Sequence, residues 1–262
     1  MVRQGGQLFP VLYNVYTHDL NHHLQATGVG CYVGGAWVNS LSYTDDMVLL
    51  ARTVTALQTL LEIYVVHMLD LRTLYTTHRK QYVCWSGQNN HRVCSQQESG
   101  SEMRNLALSR NFVTYKHIMT ADWKDDKDIT KQFRRQNAVG NMLVRKFSFA
   151  PIEAKTQLFK SHCYPIYGCA LWRHSIQSSI RKLTVSYSDT FKPLINAPRY
   201  TSSSLSFAMN ATDHINVVFR KFAYSLMSRV IGSPNSIVTG IVNSDAYHQS
   251  PLMDKWESML YV

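Results

Sequence analysis

Apolar residues first recur at the period of a helix. After Pro10, Leu12, Val15, Tyr16, Leu20 and Leu24 fall three and four apart, on one helical face. Pro10 suits the first turn of that helix, and Gly5-Gly6 permit a tight approach before it. From Val29 the period shortens. Gly34-Gly35 divides two β-prone runs in "GCYVGGAWVNS", a hairpin pattern, and "LSYTDDMVLLA" (Leu41 to Ala51) supplies a second hairpin with Asp45 and Asp46 near its tip. Helical spacing returns over 54–69 with Leu57, Leu60, Leu61, Tyr64, Val65 and Met68. "YVCW" (Tyr82 to Trp85) is a short strand candidate, and the polar stretch 87–102 reads as a surface loop before a soft boundary near residue 110. Beyond "DWKDD" the pattern is almost wholly helical. Ile129, Phe133, Leu143 and Phe147 predict a helix over 126–147, with further helices near 152–171, 176–195 and 211–231. Pro198, Ser202–Ser204 and "GSPNS" at 232–236 punctuate this half.

Composition narrows the class. A chain of 262 residues, 45% hydrophobic and 17% charged, is folded, and it is long enough for one large domain or two modest ones. Lys and Arg outnumber Asp and Glu by 27 to 17, a surplus compatible with a polyanionic partner. Five scattered cysteines form no Cys-x-x-Cys pair, which reads as reduced thiols in the nucleus or cytoplasm. "MVRQGGQLFP" has no apolar core of a signal peptide, and no apolar run reaches the length of a membrane span. The expectation is a soluble intracellular protein with no membrane partner.

Asp45 and Asp46 are the chemical puzzle, because adjacent like charges raise each other's pKa and cost stability without a positive neighbour. A metal ion is the usual neighbour; an exposed acidic turn is the plain alternative. Tyr43-Thr44-Asp45-Asp46 alone is only moderately specific. Its context sharpens it, since "RQGGQLFPVLYNVY" lies some thirty-odd residues upstream. Together the two segments resemble the reverse transcriptases of non-LTR retrotransposons, whose palm carries an "RQGG-x-L-S-P-x-L-F-N" segment followed by "Y-x-D-D". "DDKDITKQFRRQNAVGNMLVRKF" and "KSHCYPIYGCALW", within 124–262, resemble the thumb and following region of the same enzymes.

That resemblance implies an α+β chain: a partial polymerase palm over 1–110, then a mostly α-helical thumb and C-terminal region over 111–262. It implies RNA-directed DNA synthesis with an RNA template, a DNA primer and deoxynucleoside triphosphates. Two Mg2+ ions about 3.5–4 Å apart clamp the attacking and leaving oxygens in such transfers. Asp45 is implied as the principal metal ligand, Asp46 as its partner and Tyr43 as a neighbour of the primer end. Gln4, Gly5 and Gly6 match the segment that packs beside template and nucleotide, and Lys80 matches a lysine near the triphosphate. An ordinary helix-entry turn and a solvated lysine are the plain alternatives for these.

Lys124, Lys127, Lys131, Arg134, Arg135, Arg145 and Lys146 form the best phosphate-backbone track, with Asp122, Asp125, Asp126 and Asp128 interleaved at its start. An acidic first turn followed by basic residues is also what any stable helix shows. On sequence alone the two readings balance, and the resemblance favours nucleic acid. Cys163, Cys169 and His162 fit no standard zinc spacing and read as core packing.

The chain also departs from the family. No residue before Arg3 matches the palm's upstream metal-binding aspartate, and Asp19 follows the segment on the predicted helix. Phe9 stands where the family has Ser and His18 where a carboxylate is common; "TYKHIMT" at 114–120 lacks the glycine of the family's turn. These departures predict an N-terminally truncated, catalytically incomplete copy. The rival readings are a non-catalytic nucleic-acid-binding module and a decayed retroelement fragment.

Overall fold

A computed structural model of the chain describes residues 9–33, 36–43, 46–70, 81–84, 92–95, 107–109, 111–114, 117–120 and 122–260. In chain order the elements are α1 (Phe9–Ala26), β1 (Cys31–Val33), β2 (Ala36–Val38), β3 (Ser40–Tyr43), β4 (Asp46–Ala51), α2 (Val54–Asp70), β5 (Gln81–Cys84), β6 (Arg92–Ser95), β7 (Ala107–Ser109), β8 (Asn111–Thr114) and β9 (His117–Thr120). Then come α3 (Asp126–Lys146), α4 (Ile152–Cys163), α5 (Gln177–Leu194), α6 (Ser203–Met209), α7 (Ile215–Ile231), α8 (Ser236–Val242), α9 (Asp245–His248) and α10 (Pro251–Leu260). The chain is α+β and mostly helical. It divides into two compact units, 1–114 with 235–244, and 115–234 with 245–262.

The first unit is built on a five-stranded sheet of order β3-β4-β5-β6-β7. Its pairs are antiparallel except β4 with β5, which run parallel. A parallel pair needs a crossover of about a dozen residues or more, and the 17-residue α2 supplies it. Met47, Leu49 and Ala51 alternate along β4 into a core with Leu20 and Leu24 of α1 and Leu57, Leu60, Leu61 and Tyr64 of α2. Each such leucine, fully removed from water, contributes on the order of 2 kcal/mol.

Of the apolar stripe expected on α1, Leu20 and Leu24 are buried, whereas Leu12 and Val15 are exposed. The core supplied by β4 and α2 takes in Leu20 and Leu24, near the end of the helix. There Gly28 takes a left-handed φ of +62°, and Asn39 Nδ2 donates to the carbonyls of Leu24 (2.6 Å) and Val29 (3.1 Å). These bonds close the end of α1 onto the strand that follows. The stretch 87–102, expected as surface loop, contains β6, a strand paired on both edges. Four residues of "RVCS" are too few to show a period of two.

The second unit packs around aromatic rings. Phe191 stacks on Phe207 at 4.8 Å between centroids, and Phe159 meets Phe191 at 4.7 Å and Tyr187 at 5.0 Å. α3 lies close along α5 because Gly140 has no side chain; a Cβ there would come within 2.1 Å of Thr190. Cys163 and Cys169 sit in this core, and burial pushes both thiols up to about 12. The helix expected over 152–171 stops at Cys163, and only a short 3-10 turn, Cys169–Leu171, follows. Pro165 has no N–H to continue it, and Gly168 turns the chain at φ +81°. α7 begins at Ile215 rather than 211, where the His214 ring accepts from the Asn216 amide at 3.3 Å.

Candidate functional site

The acidic pair belongs to the β3–β4 hairpin. Its register runs Ser40↔Leu49, Leu41↔Val48, Ser42↔Met47 and Tyr43↔Asp46, so the ladder ends where Asp46 opposes Tyr43. Asp46 opens a strand whose next residues, Met47 to Ala51, are anchored in the core and against β5. Its backbone position is therefore rigidly mounted. Thr44 and Asp45 lie outside the described residues, as do Gln4, Gly5, Gly6 and Lys80.

The second acidic group, at the start of α3, is used for architecture. Asp125 Oδ2 accepts from the amides of Arg173 (2.7 Å) and His174 (2.8 Å), and its own amide donates to the His174 carbonyl at 2.9 Å. Asp126 Oδ1 accepts from the Ile176 amide at 3.0 Å. Asp128, wholly buried, accepts from Trp172 Nε1 at 2.9 Å and the Ile118 amide at 3.1 Å. His117 Nδ1 stands 3.0 Å from Asp128 Oδ2, a close electrostatic contact that lacks the alignment of a hydrogen bond. Burial pushes the Asp128 pKa up, but His117, Trp172 and the Ile118 amide pull harder, and the carboxyl lies below the ordinary aspartate value.

Gly168 belongs to the same cluster, because a Cβ on it would meet His117 Nδ1 at 2.7 Å. Beside it, Lys255 Nζ donates to the Trp172 carbonyl and Trp256 Nε1 to the Ala170 carbonyl at 2.8 Å, pinning α10 to the 170–172 turn. Sequence reasoning did not find this cluster. Its members are 11 and 44 residues apart, too far for any local spacing to announce.

With those carboxylates turned inward, the outer face of α3 is basic. From 127 to 146 the only carboxylate is Asp128, and it is buried. Lys127, Arg134 and Arg145 are exposed and fall within about 20° of one line at 3.6 residues per turn, over a length of about 27 Å. Lys146 is exposed and Lys131 half-buried. Among the described residues Arg134, Arg145 and Lys146 enter no ion pair. Arg135 is different. Its guanidinium donates to the carbonyls of Pro165 (2.7 Å) and His162 (3.3 Å) and lies 5.7 Å from the centre of the Tyr167 ring, so it caps the end of α4.

Among the described residues no three His, Cys, Asp or Glu side chains are grouped to hold a metal ion. No helix among them is long and apolar enough to cross a membrane. No family model, curated protein or solved structure matches the chain.

Proposed function

We propose that the chain is a palm and thumb segment of a reverse transcriptase of the non-LTR type, which binds an RNA–DNA hybrid along α3 and a divalent metal at its acidic hairpin. The observation that carries this reading is the register of β3 and β4, which sets Tyr43 opposite Asp46 at the end of a core-anchored ladder. Mg2+ suits such residues in kind, because it takes hard carboxylate oxygens, one or two from protein and others from substrate phosphates. Asp45 and Asp46 would hold it, and the ion would neutralise charge on the triphosphate of an incoming nucleotide. Two carboxylates are a thin ligand set for a two-metal reaction, so the chain alone is proposed to bind nucleic acid well and to polymerise poorly.

A second reading, a binding module without catalysis, draws on α3 alone: among the described residues Arg134, Arg145 and Lys146 enter no ion pair, whatever the hairpin does. Two measurements separate the readings. Fluorescence anisotropy of a labelled RNA–DNA hybrid should show affinity falling steeply with salt, about 0.7–0.9 logarithmic units per logarithmic unit of salt for each phosphate neutralised. Primer extension on an RNA template with Mg2+ should give at most weak incorporation, abolished by Asp45→Ala. Binding with no incorporation favours the module. Salt-insensitive binding, equal in wild type and in Arg134→Glu/Arg145→Glu, would sink both.

A further inference from the structure

The β1–β2 ribbon carries a feature that the acidic hairpin and the basic helix do not use. Cys31 pairs with Val38, Tyr32 with Trp37 and Val33 with Ala36. Directly opposed residues share a face, so Tyr32 and Trp37 project together from one side of the ribbon. Val38, next in register, is buried, whereas Tyr32 is 63% and Trp37 52% exposed. Their rings meet edge to face at 5.4 Å between centroids. Two large aromatic side chains standing side by side in water lose the burial that normally accounts for such residues.

The ribbon is held firmly at its base. Asn39, directly after β2, is buried and ties the strand to the end of α1 through the Leu24 and Val29 carbonyls. Gly30, directly before β1, lies so close that a Cβ there would come within 2.9 Å of the Asn39 Cβ and the Val38 carbonyl oxygen. Only a glycine fits that approach. The two rings are thus carried on an anchored support.

Charge decides what the rings suit. No acidic residue occurs from Gly28 to Ser40, and the whole chain carries +10. An exposed aromatic pair on a ribbon whose own residues carry no carboxylate, in a chain of net positive charge, suits a partner that brings flat apolar faces and negative charge together.

We propose that Tyr32 and Trp37 form a stacking platform for unpaired bases of single-stranded nucleic acid. Bases stack on aromatic side chains with little regard to sequence, because every base has a π-face. Duplex bases are already stacked on one another and have no face to offer. This inference rests on the nucleic-acid reading above, and the test keeps the two apart.

Anisotropy is measured with labelled oligo(rU) and with a blunt RNA–DNA hybrid, for wild type, Trp37→Ala, Tyr32→Ala and Trp37→Phe. The full chain is used, and circular dichroism checks that each variant folds. Trp37→Ala and Tyr32→Ala should each weaken oligo(rU) binding about tenfold and leave hybrid binding within about twofold. Trp37→Phe should restore most of the loss, since a ring remains. Unchanged oligo(rU) affinity in both alanine variants, with wild-type binding intact, overturns the platform alone. So does an equal loss on hybrid and single strand. Wild type binding neither ligand overturns the platform together with the nucleic-acid reading.

Discussion

Two acidic clusters look alike in the sequence, Asp45-Asp46 in "YTDDM" and Asp125-Asp126-Lys127-Asp128 at the head of "DDKDITKQFRRQ". The second is consumed by the fold. Asp125, Asp126 and Asp128 hold the backbone of 173–176, the Ile118 amide and the Trp172 indole. The first stands where a two-strand ladder ends, with Asp46 opposite Tyr43. Adjacent carboxylates therefore say little until their partners are known. A cluster that answers backbone amides belongs to architecture, and the pair at the end of the ladder is the one proposed above for chemistry.

The largest effect should come from breaking the architectural cluster. Asp128→Ala removes the acceptor of a buried indole N–H and a partly buried amide, and each stranded donor costs about 1–3 kcal/mol. The variant should lose about 3 kcal/mol of stability in urea unfolding, whereas Asp45→Ala should change it by less than about 0.5 kcal/mol. Equal losses in the two variants would show that the hairpin carboxylate is structural as well. Asp128 also gives a pH signature. Its folded pKa lies below its unfolded value, so on acidification the unfolded chain takes up the proton first. The stability it contributes is complete above about pH 4 and is lost as the pH falls further. Asp128→Asn should flatten that acid limb, and an unchanged limb would assign it to other carboxylates.

An intermediate effect separates neighbours within the basic cluster. Arg135→Ala should cost about 1 kcal/mol in urea unfolding, because two carbonyls at the end of α4 lose a charged donor that is itself partly in solvent. Arg134→Ala should leave stability unchanged and lower hybrid affinity uniformly across sequences, since phosphate contacts carry no base information. The reverse pattern would exchange their roles. For the same reason Arg135 is the poorer choice for a charge-reversal test of binding, although sequence alone ranks it with Arg134.

What could be read from the sequence follows from where the signal is local. The periods of α2, α3 and α5 placed those helices within a few residues, because long amphipathic stretches repeat their spacing several times. The Gly34-Gly35 and Tyr-x-Asp-Asp hairpins were legible from turn residues between β-prone runs. Strands of three and four residues such as β6 and β7, and short helices such as α6, α8 and α9, repeat nothing and were not seen. The division of labour between Arg134 and Arg135 was also hidden. It depends on carbonyls 27 and 30 residues downstream, which approach only once α4 has ended.

The smallest effect concerns metal. On the proposed reading Asp45 and Asp46 supply two carboxylates to the ion, so Mn2+, used as a paramagnetic stand-in for Mg2+, should bind with a Kd on the order of millimolar. At a concentration equal to Kd, binding to the native state raises stability by only about 0.4 kcal/mol. A thermal shift is too blunt for that, and electron paramagnetic resonance of free Mn2+ is the better measure. Asp45→Asn/Asp46→Asn should remove the weak site. Asp125→Asn should leave it, because that carboxylate already answers two amides. In the absence of metal, Asp45→Asn should hold hybrid binding constant or improve it slightly, as one repelling charge is gone. Micromolar Mn2+ affinity would instead mean that a third carboxylate completes the site. Mn2+ binding lost with Asp125 rather than with the hairpin pair would reverse the distinction between the two acidic clusters.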